Sequence, residues 1–260
     1  MHAGPLVQAE DGKPVGPSAV EPKGEQLPIY GGEGEFATPR ALDGDEQDEI
    51  RESFVAAAER AVEAGFDGVE VHGANGYLLD TYLTRHLNDR DDGYGGSAEA
   101  RVRFPLEVLE SVIEATPNEF VVGIRLSQTK VNDDDHRLTA AEAETYFSAL
   151  DVGDYVHVTD PDVTTPAFEG TDRTLAELAD AHADAPVIAN GGLANPADAR
   201  ETVRSGADLV RLATAALANP DWPRRVAAGD SLEEFDFEST LLPDATLNDD
   251  EVPAARSADD

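Results

Sequence analysis

Cysteine is absent from the 260 residues, so no disulfide, thiolate zinc site or cysteine-ligated iron–sulfur cluster can form. Lysine is nearly absent too, with Lys13, Lys23 and Lys130 the only three. Lys and Arg together number 19 against 54 Asp and Glu, and the resulting formal charge of −35 repels nucleic acid. No run approaches the roughly eighteen consecutive apolar residues of a membrane helix, so no bilayer partner is expected. The N-terminus lacks a basic segment followed by an apolar core, which argues against a secretory signal and for a cytoplasmic protein.

What remains is a foldable chain. Hydrophobic residues make up 40%, and apolar periodic segments recur throughout, which excludes a disordered acidic protein. The acid is spread along the sequence instead of forming one block. A surface this acidic and lysine-poor is similar to that of proteins from salt-accumulating organisms, where molar salt screens self-repulsion over about 3 Å. The length suits one α/β barrel, typically about 250 residues.

Residues 5–42 are rich in Gly and Pro, with Pro14-Val15-Gly16-Pro17 and Gly31-Gly32-Glu33-Gly34 as turn signals, and read as a long loop over a site. Next, Ile50, Phe54, Ala57, Ala58, Ala61 and Val62 share one face of a helix that Gly65 can close. Apolar strands at 67–72, 121–126, 155–158, 187–189 and 209–212 then alternate with helices. Those helices lie near 97–115, after the capping box Thr139-Ala140-Ala141-Glu142, at 174–181, and after the Asn-Pro starts at Asn195-Pro196 and Asn219-Pro220. This alternation predicts an α/β protein with a parallel sheet, closing as a TIM-type (β/α)8 barrel over residues 1–230 and followed by an acidic tail at 231–260.

The run Gly65-Phe66-Asp67-Gly68-Val69-Glu70-Val71-His72-Gly73-Ala74-Asn75-Gly76-Tyr77-Leu78-Leu79 delivers a His, an Asn and a Tyr from one strand into one turn. His72 and Asn75 are neutral hydrogen-bond donors that can hold a carbonyl or nitro oxygen, and Tyr77 is a weak acid that can supply a proton. Together they suit reduction of an activated double bond. Singly, a histidine after a strand is more often structural and a tyrosine more often core or rim. The set, and the run Asn88-Asp89-Arg90-Asp91-Asp92-Gly93-Tyr94-Gly95-Gly96-Ser97 just downstream, resembles the Old Yellow Enzyme family of FMN-dependent NAD(P)H oxidoreductases, whose fourth barrel strand ends in a similar His-x-x-Asn-x-Tyr.

That resemblance implies FMN as cofactor, NADH or NADPH as reductant and a small-molecule substrate with an activated C=C bond. The hydride passes from nicotinamide to flavin and then to the substrate's β-carbon, while His72 and Asn75 hold its oxygen and Tyr77 protonates the α-carbon. It also implies that Arg125, a lone cation in the apolar strand Val122-Gly123-Ile124-Arg125-Leu126-Ser127, lies against the flavin ring; a salt bridge inside the barrel is the structural alternative. Gly191 and Gly192, between a strand and a helix, become candidates for the FMN phosphate, although Gly-Gly also makes ordinary turns. Where the family shows Gly-Arg as the second half of the phosphate site, this chain has Ala213-Thr214. Arg211, three residues before Thr214, is expected by alternation to face the other way. His157 receives no role, and His2 is read as packing or as lining the flavin pocket. The absence of cysteine excludes the cluster-bearing relatives.

Five strands are legible, and the family pattern makes them the fourth to eighth, with Met1-His2-Ala3-Gly4 similar to the end of the third. At about 30 residues per βα unit, roughly 90 residues of a complete barrel are not in this sequence. An internal start site, a natural fragment and a partner chain that completes the barrel are the three explanations, and the last two make a non-catalytic barrel piece the rival function. A homo-oligomer is compatible with the sequence. The charge leads to a direct expectation: self-repulsion reaches ~10 Å at 0.1 M salt and ~3 Å at 1 M, so thermal stability rises steeply with potassium chloride between those limits. A melting temperature flat over that range rules out the salt-adapted reading.

Overall fold

A computed structural model of the protein describes residues 14–26, 33–130 and 138–237. The chain forms two compact units, Met1–Arg211 and Leu212–Asp260. In the first unit two short strands, β1 (Val15–Gly16) and β2 (Arg40–Ala41), precede α1 (Gly44–Glu63) and β3 (Gly68–Gly73). Next come α2 (Leu78–Leu83), α3 (Ala98–Arg101), α4 (Arg103–Ala115), β4 (Val121–Ser127), α5 (Ala140–Ala149) and β5 (Tyr155–Thr159). The unit ends with α6 (Leu175–His182), β6 (Val187–Asn190), α7 (Pro196–Arg204) and β7 (Leu209–Arg211). The second unit contributes α8 (Thr214–Ala218) and α9 (Trp222–Ala228).

Strands β3 to β7 form one five-stranded sheet in sequence order, every pair parallel. These are the five strands expected from sequence, each joined to the next through helix, which is the βαβ arrangement of an α/β barrel. The stretch expected as an unbroken loop at 5–42 contains, in its described part, the parallel pair β1–β2 and an isolated bridge between Glu25 and Glu35. Its residues 5–13 and 27–32, and the 1–4 segment with His2, lie outside the described residues.

Strand residues alternate between two faces. One set, Val71, Val122, Ile124, Leu126, Val156, Val158, Val187 and Ala189, is buried and apolar, as are Phe104, Val108, Leu109 and Val112 of α4 and Ala176 and Ala179 of α6. The other set carries the polar residues, taken up below. Among the helices, Asp43 with Glu46, Thr139 with Glu142 and Thr174 with Glu177 form reciprocal capping boxes at α1, α5 and α6. Asn195 caps α7, with Pro196 in its first turn.

Two expectations need correction. The helix expected over 97–115 is two pieces, α3 and α4, joined at Val102. Buried Arg101, at the end of α3, fixes this junction through an ion pair with Glu142 of α5 and hydrogen bonds to the Leu83 carbonyl and Tyr146 hydroxyl. Asn219-Pro220 does not open a helix. Asn219 closes α8, its side-chain amide is committed to the peptide groups of Ala215 and Glu233, and α9 begins only after Asp221.

The β3–β4 pairing leaves no room at Gly68, where an added Cβ would sit 2.5 Å from the Val121 carbonyl oxygen. Both partners are backbone, so no side-chain rotation relieves the overlap. Gly68→Ala is therefore expected to destabilise the chain by about 1–3 kcal/mol, read from urea unfolding in high salt.

Candidate active site

Strand β3 ends in the turn that carries the candidate residues. Ala74 is buried, and Asn75 adopts φ 61°, the one non-glycine residue at positive φ among the described residues. Asparagine tolerates this left-handed conformation better than other chiral residues do. Three hydrogen bonds secure it: the Tyr77 N–H closes the turn on the Ala74 carbonyl at 3.2 Å, the Asn75 N–H donates to Ser127 Oγ at 2.7 Å, and the Gly76 N–H to Asp80 Oδ2 at 2.6 Å. Tyr77 directly precedes α2. Its ring lies 5.2 Å from that of His72, tilted by 49°. His72 and Tyr77 are thus in ring contact, with Asn75 on the turn between them.

Register carries the site across the sheet. His72 pairs with Arg125 of β4, and Arg125 with His157 of β5. Two residues nearer the strand ends, Ser127 pairs with Thr159, Thr159 with Asn190, and Asn190 with Arg211. The guanidinium of half-buried Arg125 donates through Nη2 to Asn190 Oδ1 at 2.8 Å and to Thr159 Oγ1 at 3.1 Å. Its Nε is buried with no hydrogen-bond partner among the described residues. Burial pushes its pKa down and Arg211 adds to this, while Glu70 opposes it. A cation whose hydrogen bonds go to neutral oxygens, with one donor still orphaned, fits an electron-rich ring such as that of a flavin.

Beneath this row lies a network that the sequence did not single out. Fully buried His157 meets Glu70 Oε2 through Nδ1 at 2.7 Å, the Tyr155 hydroxyl donates to the same oxygen at 3.2 Å, and Arg211 Nη1 is 3.5 Å from Oε1. Gly123 stands between Glu70 and Tyr155 in register, and a Cβ there would enter the Tyr155 ring. Period-two alternation was the available signal: Glu70 with His72, and Tyr155 with His157 and Thr159, occupy one face of their strands. Burial tends to raise the Glu70 pKa, but the hydrogen bond and charge of His157, with Arg211 and Tyr155, outweigh it and hold the pKa below its ordinary 4.5.

The expected phosphate residues are placed differently. Gly191 (φ 127°) and Gly192 (φ 70°) pack against the segment after β5. A Cβ on Gly191 would strike the Asp160 carbonyl, and one on Gly192 would lie 2.9 Å from an Asp162 carboxylate oxygen. Both glycines are thus required by packing, and the neighbouring carboxylate is a poor companion for a phosphate dianion. Ala213 and Thr214 begin α8 in the second unit. Among the described residues no cluster of His, Cys, Asp or Glu suits a metal ion.

A carboxylate with a lowered pKa contributes stability above its unfolded value, and loses it as pH falls through the folded value. Glu70→Gln is therefore expected to cost about 1 kcal/mol at pH 7 after screening, with the gap to wild type closing as the pH drops below 4.5. Urea unfolding of both proteins in 1 M potassium chloride from pH 7 down to about pH 2.5 measures it; a gap independent of pH contradicts the assigned ionisation.

Comparison with known proteins agrees with this architecture. The family described as NADH:flavin oxidoreductase / NADH oxidase matches residues 2–233. An NADH:fumarate oxidoreductase of Klebsiella pneumoniae is 34% identical over 251 residues, 90% of this chain and 26% of that protein. A flavin oxidoreductase of Emericella nidulans is 32% identical over 251 residues, 86% of this chain and 62% of its relative. Among solved structures, morphinone reductase in complex with tetrahydroNAD superposes with a TM-score of 0.75 at 36% identity, over 92% of this chain and 65% of that one. The old yellow enzyme homologue from Zymomonas mobilis gives 0.78 at 29% identity, over 94% and 69%. This chain spans about two thirds or less of most of these proteins, and its five-stranded sheet is an incomplete α/β barrel of their kind. With its match extending over residues 2–233, the chain belongs to the NADH:flavin oxidoreductase / NADH oxidase family.

Proposed function

We propose that this protein is an FMN-dependent NAD(P)H oxidoreductase that reduces activated C=C bonds, as in enones. The observation that carries the reading is the pairing of His72 with Arg125 across β3 and β4, with Tyr77 in ring contact with His72. FMN, when bound, supplies the hydride that it has received from NADH or NADPH. Arg125 would hold the ring through its unsatisfied Nε and its charge, which favours an electron-rich partner. The backbone N–H groups of Gly191 and Gly192 are the candidates for the phosphate, a grip weakened by the Asp162 carboxylate beside Gly192, and Ala213-Thr214 supply no cation.

His72 and Asn75 orient the substrate by its oxygen and stabilise the charge that develops there without ionising themselves. Tyr77 Oη gives its proton to the α-carbon. The substrate is a small molecule, and the net charge of −35 argues against nucleic acid. The acid-rich, lysine-poor composition supports work in a salt-rich cytoplasm. A rival reading, a non-catalytic barrel piece that needs a partner, has one structural support: among the described residues, β3 and β7 each have a neighbour on one side alone.

Flavin absorbance and stopped-flow kinetics separate the two. The catalytic reading expects FMN retained at high salt, and in Tyr77→Phe an enone-reduction step slowed by about 10²–10⁴ with flavin reduction by nicotinamide still proceeding. Equal losses in both steps make Tyr77 structural. No flavin uptake even with excess FMN favours the barrel piece.

A further inference from the structure

Lys130, one of the three lysines in this chain, lies inside the fold. Lys130 is 2% exposed and its ion-pair partner Asp80 is 1% exposed, a full charge pair removed from water in a protein with few cations to spare. A charge pair buried this completely is weak evidence for stability, since well-packed apolar replacements are often as stable.

The geometry here is specific. Asp80 lies in the first turn of α2 and uses its two carboxylate oxygens differently: Oδ1 meets Lys130 Nζ, and Oδ2 accepts the Gly76 N–H at 2.6 Å. Gly76 follows Asn75, and the two are consecutive residues at positive φ, 61° and 82°. Asn-Gly suits such a backbone, and the Tyr77 N–H closes the turn on the Ala74 carbonyl at 3.2 Å. Two further restraints tie this turn to the exit of β4: Ser127 takes the Asn75 N–H directly, and Lys130 acts three residues later through Asp80.

We propose that Lys130 is a positioning residue, whose ammonium fixes the Asp80 carboxylate on the Gly76 N–H and so holds the left-handed turn of Asn75 in place between His72 and Tyr77. Removing the ammonium leaves a buried carboxylate that must take up a proton or admit water. Either change replaces a charge-assisted hydrogen bond to Gly76 by a weaker one. The assignment of Asn75 as a substrate-oxygen donor rests on the function proposed above; the clamp on the turn does not.

Two variants and two readouts test it. Lys130→Met removes the charge at similar length, and the double variant Asp80→Asn with Lys130→Met removes both charges while an amide oxygen remains for Gly76. Amide hydrogen exchange at Gly76 is compared with that at Ile124, in the middle of β4, as the measure of general unfolding. Protection of Gly76 relative to Ile124 is expected to fall about tenfold in Lys130→Met and less in the double variant. If Lys130→Met does not fold, the double variant alone decides by the same comparison. Gly76 exchange that merely tracks Ile124 overturns the proposal, because the pair then holds the fold and not the turn. The second readout is the KM for 2-cyclohexenone, expected to rise about tenfold in Lys130→Met. A loosened Gly76 with an unchanged KM leaves the clamp standing and removes Asn75 from substrate binding. Absence of any enone reduction in the wild type refutes the proposed function, and the exchange result still decides the clamp.

Discussion

The hydrogen-bond register between β3 and β4 is the constraint on which the site depends. It sets His72 opposite Arg125, and through β5 it adds His157 to the same row. Because side chains alternate with a period of two, a slip of one residue would turn Arg125 and His72 into the apolar layer and bring Ile124 and Val71 to the polar face. Burial opposes such a slip strongly: Val71, Ile124 and Val156 are each nearly or fully buried, and all three would have to exchange places with charged or polar groups. The apolar layer therefore specifies the chemistry indirectly, by making one register the sole low-energy choice.

Within that register, the distribution of charge is uneven in an informative way. The surface is overwhelmingly acidic, yet the interior collects cations: Arg101 and Lys130 are buried and Arg125 is half-buried. Two of these three are matched by single carboxylates, Glu142 and Asp80. Arg125 instead hydrogen-bonds neutral oxygens, and the nearest carboxylate in its row system, Glu70, is already shared among His157, Tyr155 and Arg211. The consequence is a cation that keeps attraction to spare for a bound electron-rich group, as a salt bridge would not.

Much of this was legible in the sequence, and the reason differs by element. The five strands are short apolar runs bounded by Gly and Pro, and the starts of α5, α6 and α7 carry caps whose partners lie two or three residues away, so local reading suffices. Asn219-Pro220 misled because the same residue type that caps a helix start also closes one when its amide finds distant peptide groups, here those of Glu233. The β1–β2 pair escaped notice because two-residue strands carry no periodicity. In the site, the His-x-x-Asn-x-Tyr turn is contiguous and visible. The groups that hold it are not: Ser127 is 52 residues from Asn75, Lys130 is 50 from Asp80, and Glu70 is 87 from His157 and 141 from Arg211. Pairings at such separations exist only once the sheet has formed.

The turn after β3 shows how these scales combine. Its Asn75-Gly76 pair accepts consecutive positive φ, and the Tyr77 N–H closes the turn on the Ala74 carbonyl, so its shape is local. What is not local is its anchorage to the exit of β4, whose Ser127 and Lys130 reach the turn only because β3 and β4 are adjacent and in register. Sheet pairing thus precedes the site physically: the apolar layer sets the register, the register brings two polar anchors to one turn, and the anchors fix that turn against β4. A substitution in the apolar layer should accordingly disturb the chemistry even where it touches none of the polar residues, through the placement of β4 against β3.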